Sequence, residues 1–288
     1  MDFRIDRFAT LYLVNPLLRC ASPKVGPATG SKVRSIPILM YHSLSSENEG
    51  GVRAYYRTAT APSVFASHMR YLQEQHYRTI NLPEAAKLLK TGGMTEKLAV
   101  ITFDDGYADF SRHALPELSR YGFSATVFLP TAFIGNEPRQ FKGKDCLTWG
   151  QARELQNAGI SFGSHTITHP QLSNLASSAV TQEVSQSKQT IEHELGSPVD
   201  SFAYPFAFPQ QNAGFVQQLR ETLVGSGYQQ GVCTRIGTAR ADDDQYFLRR
   251  LPMNSLDDAS LFDAKLRGGY DWLYSVQSAS KRIKAYVQ

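Results

Sequence analysis

Cysteine is scarce: this 288-residue chain has three, Cys20, Cys146 and Cys233. An odd, widely separated set supplies neither a disulfide framework nor a zinc ribbon, and is compatible with a reducing or an oxidising compartment. No run approaches the roughly twenty apolar residues of a membrane span. The start of the chain places Asp2 and Asp6 before a short apolar stretch, Phe8 to Val14, broken by Asn15 and Pro16, which makes a poor signal peptide. Charge of one sign is also slight, 30 basic against 26 acidic side chains for a net +4. No run interleaves Lys and Arg with aromatics as a nucleic-acid surface does, so no nucleic-acid partner is expected.

Two short motifs stand out instead. Leu98 to Phe103 is continuous, apolar and β-branched, as a strand buried on both faces reads. Asp104, Asp105 and Gly106 therefore fall at its C-terminal end, where ligands gather in parallel α/β architectures. Adjacent acids repel unless a cation or a proton separates their roles. In the second motif, Thr148 and Gln151 form a capping-box pattern opening a helix, Gly159 closes it, and Ile160 to Gly163 reads as another buried strand. His165 then sits at a strand end, and His169 lies close enough for both imidazoles to reach one ion. Pro170 stops a long helix, which places the pair on a loop. Two imidazoles and one carboxylate leave a coordination position open, the pattern of a catalytic site. Either motif alone reads equally as a turn or as surface histidines; together, at two strand ends, they predict a metal centre.

Thr102 to Gly106 and Ser164 to Pro170 resemble the first two motifs of the polysaccharide deacetylases, the NodB-like carbohydrate esterases of family 4. Pro37 to His42, Ala114 to Pro116, Ala125 to Phe128 and Ser201 to Phe206 are similar to that family as well, so the likeness spans about residues 36 to 252. It implies removal of N- or O-acetyl groups from sugars, with Asp105, His165 and His169 as metal ligands and Asp104 as catalytic base. It also implies one divalent ion, zinc before cobalt, nickel or iron, and the backbone N–H of Tyr204 as donor to the reaction's oxyanion. The early Met40-Tyr41-His42 resembles the branch that includes poly-N-acetylglucosamine deacetylases, where the acid comes first in the chain.

The chain departs from the family in two places. The common late Leu-x-His motif is missing, since the last histidine is His193. His42, at the end of the apolar run Ile36 to Tyr41, is therefore expected to be the general acid, its imidazolium favoured by anionic neighbours. In the third motif Phe202 and Ala207 replace the usual Arg and Gly, so Asp104 needs another tether. Arg249 and Arg250 are the candidates, because a guanidinium can grip a carboxylate bidentately.

The expected fold is α/β, an irregular (β/α) barrel of about seven strands with the NodB-like deacetylase fold. Strand-like runs fall at Ile36 to Tyr41, Tyr77 to Ile80, Leu98 to Phe103, Ser124 to Leu129, Ile160 to Gly163, Val199 to Tyr204, Gly231 to Thr234 and Phe247 to Leu251. Residues 1–35 read as an N-terminal extension and 36–288 as one catalytic domain with a helical tail. Val180, Val184, Ile191 and Leu195 form a core stripe ended by Gly196, while Gln182, Glu183, Gln186, Lys188 and Gln189 read as a solvated face. Phe65 to Leu72 and Ala85 to Leu89 read as further helices. The long connection after His42, with Glu47, Asn48, Glu49, Tyr55 and Tyr56, reads as a binding loop or a surface excursion, and Phe133 to Lys144 as another wall.

The expected substrate is an acetylated glycan, and a silent carbohydrate-binding relative is the alternative. A non-haem iron oxygenase would use the same ligand types on a jelly roll, which the alternating pattern argues against. The tail residues Lys281, Arg282 and Lys284, after Tyr270, Trp272 and Tyr274, read as a helix covering the barrel or as a peripheral contact with an anionic membrane. The expected location is cytoplasmic and membrane-peripheral, with the cell envelope or secretion as the alternative; oligomeric state is left open.

Overall fold

The computed structural model describes residues 4–16, 35–47, 49–92, 96–274 and 276. Cys20, Asn48, Lys281, Arg282 and Lys284 lie outside these residues. The first strands in chain order are β1 (Ser35–Ile36), β2 (Ile38–Tyr41), β3 (Arg78–Thr79), β4 (Leu98–Phe103), β5 (Thr126–Leu129) and β6 (Gln140–Phe141). They are followed by β7 (Lys144–Asp145), β8 (Ser161–Ser164), β9 (Ser201–Ala203), β10 (Gln230–Ile236), β11 (Ala239–Arg240) and β12 (Leu248–Pro252).

Seven of these form a closed parallel barrel in the order β2, β12, β10, β9, β8, β5, β4, with β4 pairing back to β2. β3 adds to the first residues of β4, while β1 with β11 and β6 with β7 make short antiparallel pairs outside the ring. Helices cover the outer face, which is why β2, β4 and β5 are buried at every position and read as unbroken apolar runs rather than alternating ones.

The crossover helices follow the expected signals. Ser177–Leu195 buries Val180, Val184, Ile191 and Leu195 and ends at Gly196 with φ 64°. Trp149–Asn157 opens with the full reciprocal cap of Thr148 and Gln151. Because every barrel strand is parallel, the loops leaving β2, β4, β8 and β9 converge at one mouth.

One buried polar contact supports that mouth from beneath. On the helix Pro62–Glu74, His68 stacks on Phe262, with ring centroids 4.0 Å apart. Its Nε2 lies 2.8 Å from the Asp257 carbonyl, which can only accept. The proton therefore sits on Nε2, and Nδ1 accepts from the Tyr41 hydroxyl at 2.9 Å. Burial pushes His68 down to about 4, against the ordinary 6.5. Between those values the unfolded chain binds the extra proton, so the stability of the neutral ring is complete above about pH 6.5 and is lost as pH falls toward 4. Denaturant unfolding should show this residue weakening the native state by about 2 kcal/mol between roughly pH 7 and pH 5. His68→Gln should remove that part of the pH slope; an unchanged slope would contradict the assignment.

Candidate metal centre

Asp104 continues the β4 ladder one residue past the strand, its N–H donating to the Tyr41 carbonyl at 2.9 Å. The backbone then turns, with φ 70° at Asp105 and 60° at Gly106. A Cβ on Gly106 would lie 2.8 Å from the Leu129 side chain in addition to the unfavourable φ, so glycine is favoured there. His165 leaves β8 with its N–H bonded to the Leu129 carbonyl at 3.0 Å. The chain loops through Thr166 (φ 70°) to His169 (φ 55°). Glu183 holds that loop, accepting from the N–H groups of Ile167 and Thr168 at 2.7 and 2.9 Å and from the Thr168 hydroxyl at 2.7 Å. Glu183 is thus a clamp under the histidine loop and not part of a solvated face.

These turns bring ligand atoms of Asp105, His165 and His169 within 4.8 Å of one another, all three residues buried. Asp105 Oδ1 lies 3.3 Å from His169 Nε2 and 3.6 Å from His165 Nε2, and it is buried without a hydrogen-bond partner. Its other oxygen accepts from the Tyr107 hydroxyl at 3.0 Å and faces Lys142 Nζ at 3.4 Å. His165 Nδ1 lies 2.8 Å from the Ala203 carbonyl, so it carries the proton and leaves the Nε2 lone pair for a ligand. Burial, with His165 beside it, pushes His169 down to about 3 against the pull of Asp105, and so keeps its ring neutral. An orphaned carboxylate oxygen facing two imidazole nitrogens fits a divalent cation.

Asp104 has a different partner. Burial alone would raise its carboxyl, but Arg250 outweighs that and holds it well below the usual carboxylate range. The grip is bidentate, Nη1 to Oδ1 at 2.6 Å and Nη2 to Oδ2 at 2.7 Å. Of the two candidate tethers, Arg250 is therefore the one that holds Asp104, and Arg249 pairs with Asp243 at 3.0 Å instead. His42 Nε2 stands 4.0 Å from Asp104 Oδ2, at the same mouth. Burial pushes His42 below its ordinary value despite the opposing pull of Asp104 and Asp105, so the site does not favour the imidazolium expected from its anionic neighbours.

The Tyr204 expectation needs correction. Its N–H donates to the Val232 carbonyl at 2.9 Å as part of the link between β9 and β10, and a donor used inside the sheet is not available to a reacting group. Tyr204 still lines the cleft above the acids, a space of about 380 Å³ walled also by His42, Tyr55, Tyr56, Lys142 and Phe206. Lys142 comes from the β6–β7 hairpin, with its ammonium 4.5 Å from the Phe141 ring centroid and 5.7 Å from that of Phe206. Tyr107 and Phe206 were not singled out as site residues, while Lys142 falls in the stretch Phe133 to Lys144 expected to form another wall. Tyr107, directly after the Asp-Asp-Gly turn, was within reach of the sequence pattern; Phe206 arrives only through folding.

Residues 91–222 match the family model described as polysaccharide deacetylase. The Bacillus subtilis (strain 168) protein YxkH, whose name assigns it provisionally to the polysaccharide deacetylases, is 33% identical over 81% of this chain and 76% of its own length. A poly-beta-1,6-N-acetyl-D-glucosamine N-deacetylase of Staphylococcus aureus (strain N315) is 22% identical over 70% of this chain and 69% of its own. Among solved structures, the Streptococcus pyogenes deacetylase PplD in complex with acetate superposes with a TM-score of 0.70 at 25% identity, covering 83% of this chain and 99% of that one. IcaB from Ammonifex degensii, at 21% identity and a TM-score of 0.65, shares the fold over 81% of this chain and 97% of its own.

The Arg250–Asp104 pair yields a direct test of stability. Arg250→Met leaves a carboxylate buried without its partner and should cost about 3–5 kcal/mol in denaturant unfolding. Arg250→Lys, which keeps the charge but not the fork, should fall between. A methionine variant as stable as the parent would show that the pair does not hold the barrel mouth together.

Proposed function

The chain belongs to the polysaccharide deacetylase family, and on that basis we propose that it hydrolyses the N-acetyl group of an amino sugar within a glycan, using a divalent ion held by Asp105, His165 and His169. The observation that carries this reading is the buried Asp105 Oδ1, unpartnered and turned toward two imidazoles, beside an acid that Arg250 keeps ionised. Zinc is the first choice because two imidazoles and a carboxylate suit it, although cobalt, nickel and iron accept the same donors. The N-acetyl preference rests on the Staphylococcus aureus relative, whose name gives it an N-acetylglucosamine polymer as substrate. When bound, the ion polarises the acetyl carbonyl and lowers the pKa of a coordinated water.

The chain's own groups supply the rest. Asp104, fixed at both oxygens, is oriented to take the proton of the attacking water. A carboxyl held so low is a weak base that gives up its proton readily, and His42 Nε2 is 4.0 Å away to receive it. As the C–N bond breaks, the electron pair stays on nitrogen and His42 returns a proton there, so that acetate and a free amine leave. With the Tyr204 N–H committed and Pro205 having none, the next backbone donor on this loop is that of Phe206, which lines the cleft at φ 58°. It is the proposed donor to the developing oxyanion. Tyr55 and Tyr56, edge-on to each other at 5.0 Å, form a wall on which sugar rings can stack.

Acetate release from N-acetylated β-linked glucosamine oligosaccharides should stop with a chelator and return with added zinc. Asp104→Asn should lower the rate by about a hundredfold to ten-thousandfold and His42→Ala by a similar factor. A fully active His42→Ala enzyme would remove the acid assignment and leave the ion site standing. No acetate from any acetylated glycan with metal present would end the deacetylase reading.

A further inference from the structure

The N-terminal segment is a helix turned inside out. It runs as an α-helix over Ile5–Phe8 and continues through wider π-type turns over Ala9–Val14. The residues it buries against the barrel are polar: Asp6, Thr10 and Asn15. Asp6 accepts from Arg4 at 2.5 Å and from the Tyr270 hydroxyl, and Trp272 donates to Thr10 Oγ1 at 3.1 Å. Arg4 reaches on to the fully buried Asp257 at 3.1 Å, and Arg7 to Asp258 at 2.5 Å. Its apolar side faces out, with Ile5 70%, Phe8 45%, Tyr12 62% and Leu13 57% exposed. A helix on a soluble domain normally does the reverse, and an outward apolar face fastened by ion pairs is an interaction surface.

The charge of the adjoining chain indicates what covers it. Residues 17–34 carry Arg19, Lys24, Lys32 and Arg34 with no acid, and residues 277–288 carry Lys281, Arg282 and Lys284 with no acid. These stretches directly follow Pro16 and Val276, and Val276 is itself 51% exposed. A second copy of the chain would bring the same positive flanks together and be repelled. An anionic bilayer offers both an apolar layer for Phe8, Tyr12 and Leu13 and a negative surface for the basic flanks. The helix is tied to Asp257 and Asp258, in the loop beyond β12, and β12 ends at Pro252 on the wall of the catalytic cleft. No helix among the described residues is long and apolar enough to cross a membrane, so the contact lies in the interface plane.

We propose that residues 5–16 form an interfacial anchor that seats the protein on an anionic lipid surface, with the cleft at the same end of the barrel as the anchor's fastening. Full-length protein should sediment with vesicles of phosphatidylcholine containing phosphatidylglycerol and remain in solution with phosphatidylcholine alone, and the binding should weaken with added salt. Phe8→Ser combined with Leu13→Ser should weaken the partition at least about tenfold with thermal stability unchanged, since both side chains are exposed. If that pair misfolds, Ile5→Ser with Tyr12→Ser tests the same face, and the comparison of the two vesicle types needs no variant. The proposal is overturned if the parent ignores both vesicles, if the serine variants bind as the parent does, or if light scattering shows a dimer that the same substitutions split.

Discussion

A single buried guanidinium orders the mouth of this barrel. Arg250, fully enclosed on β12, reaches past β2 to grip both oxygens of Asp104 at the end of β4, with Thr102 Oγ1 and the Cys233 carbonyl as further acceptors at 3.3 Å. Two adjacent carboxylates would otherwise share one role and one proton. With Asp104 fixed by Arg250, Asp105 is left with an unpartnered oxygen turned toward His165 and His169. The division of labour proposed for the two acids, base and ion ligand, rests on that one pair. Because the charges are buried, losing either partner leaves the other buried and unpaired.

Backbone strain gathers around the same point. Asp105, Thr166, His169 and Phe206 all adopt positive φ, each at a cost of about 1–3 kcal/mol for a residue other than glycine. The surrounding structure offsets that cost by specific means. Glu183 accepts three hydrogen bonds from the histidine loop, Thr166 Oγ1 caps the His169 N–H at 3.0 Å, and Thr234 donates to the Phe206 carbonyl at 2.8 Å. The loops at the barrel mouth are thus held by specific contacts, and the anchor proposed for the N-terminal segment is held by buried pairs of Arg4 with Asp6 and Asp257 and by an exposed one between Arg7 and Asp258.

The barrel itself was readable from the chain because parallel strands covered on both faces must be continuous apolar runs. Leu98 to Phe103 matches β4 at both ends, and the other expected runs overlap their strands with ends shifted by at most two residues. The proposed ion-binding residues Asp105, His165 and His169 were readable for the same reason, since a strand end is fixed by the run before it. Long-range partners were not. Glu183 looks like any acid on the outward side of an amphipathic helix until the histidine loop closes over it. Tyr204 ends a strand-like run, and only the folded chain shows its N–H bonding across to β10.

The linear order of residues was enough to determine the parallel α/β barrel and to pick out Asp105, His165, His169 and His42 for its mouth, because these depend on local periodicity and on spacing within one motif. Only the tertiary structure decided that Arg250 rather than Arg249 holds Asp104, that Tyr204 is committed to the sheet, and that the first helix turns its apolar side outward. Each of those depends on which face of an element meets a partner far away in the chain. Neighbouring residues on a strand point to opposite faces, and sequence proximity alone does not say which face is turned inward.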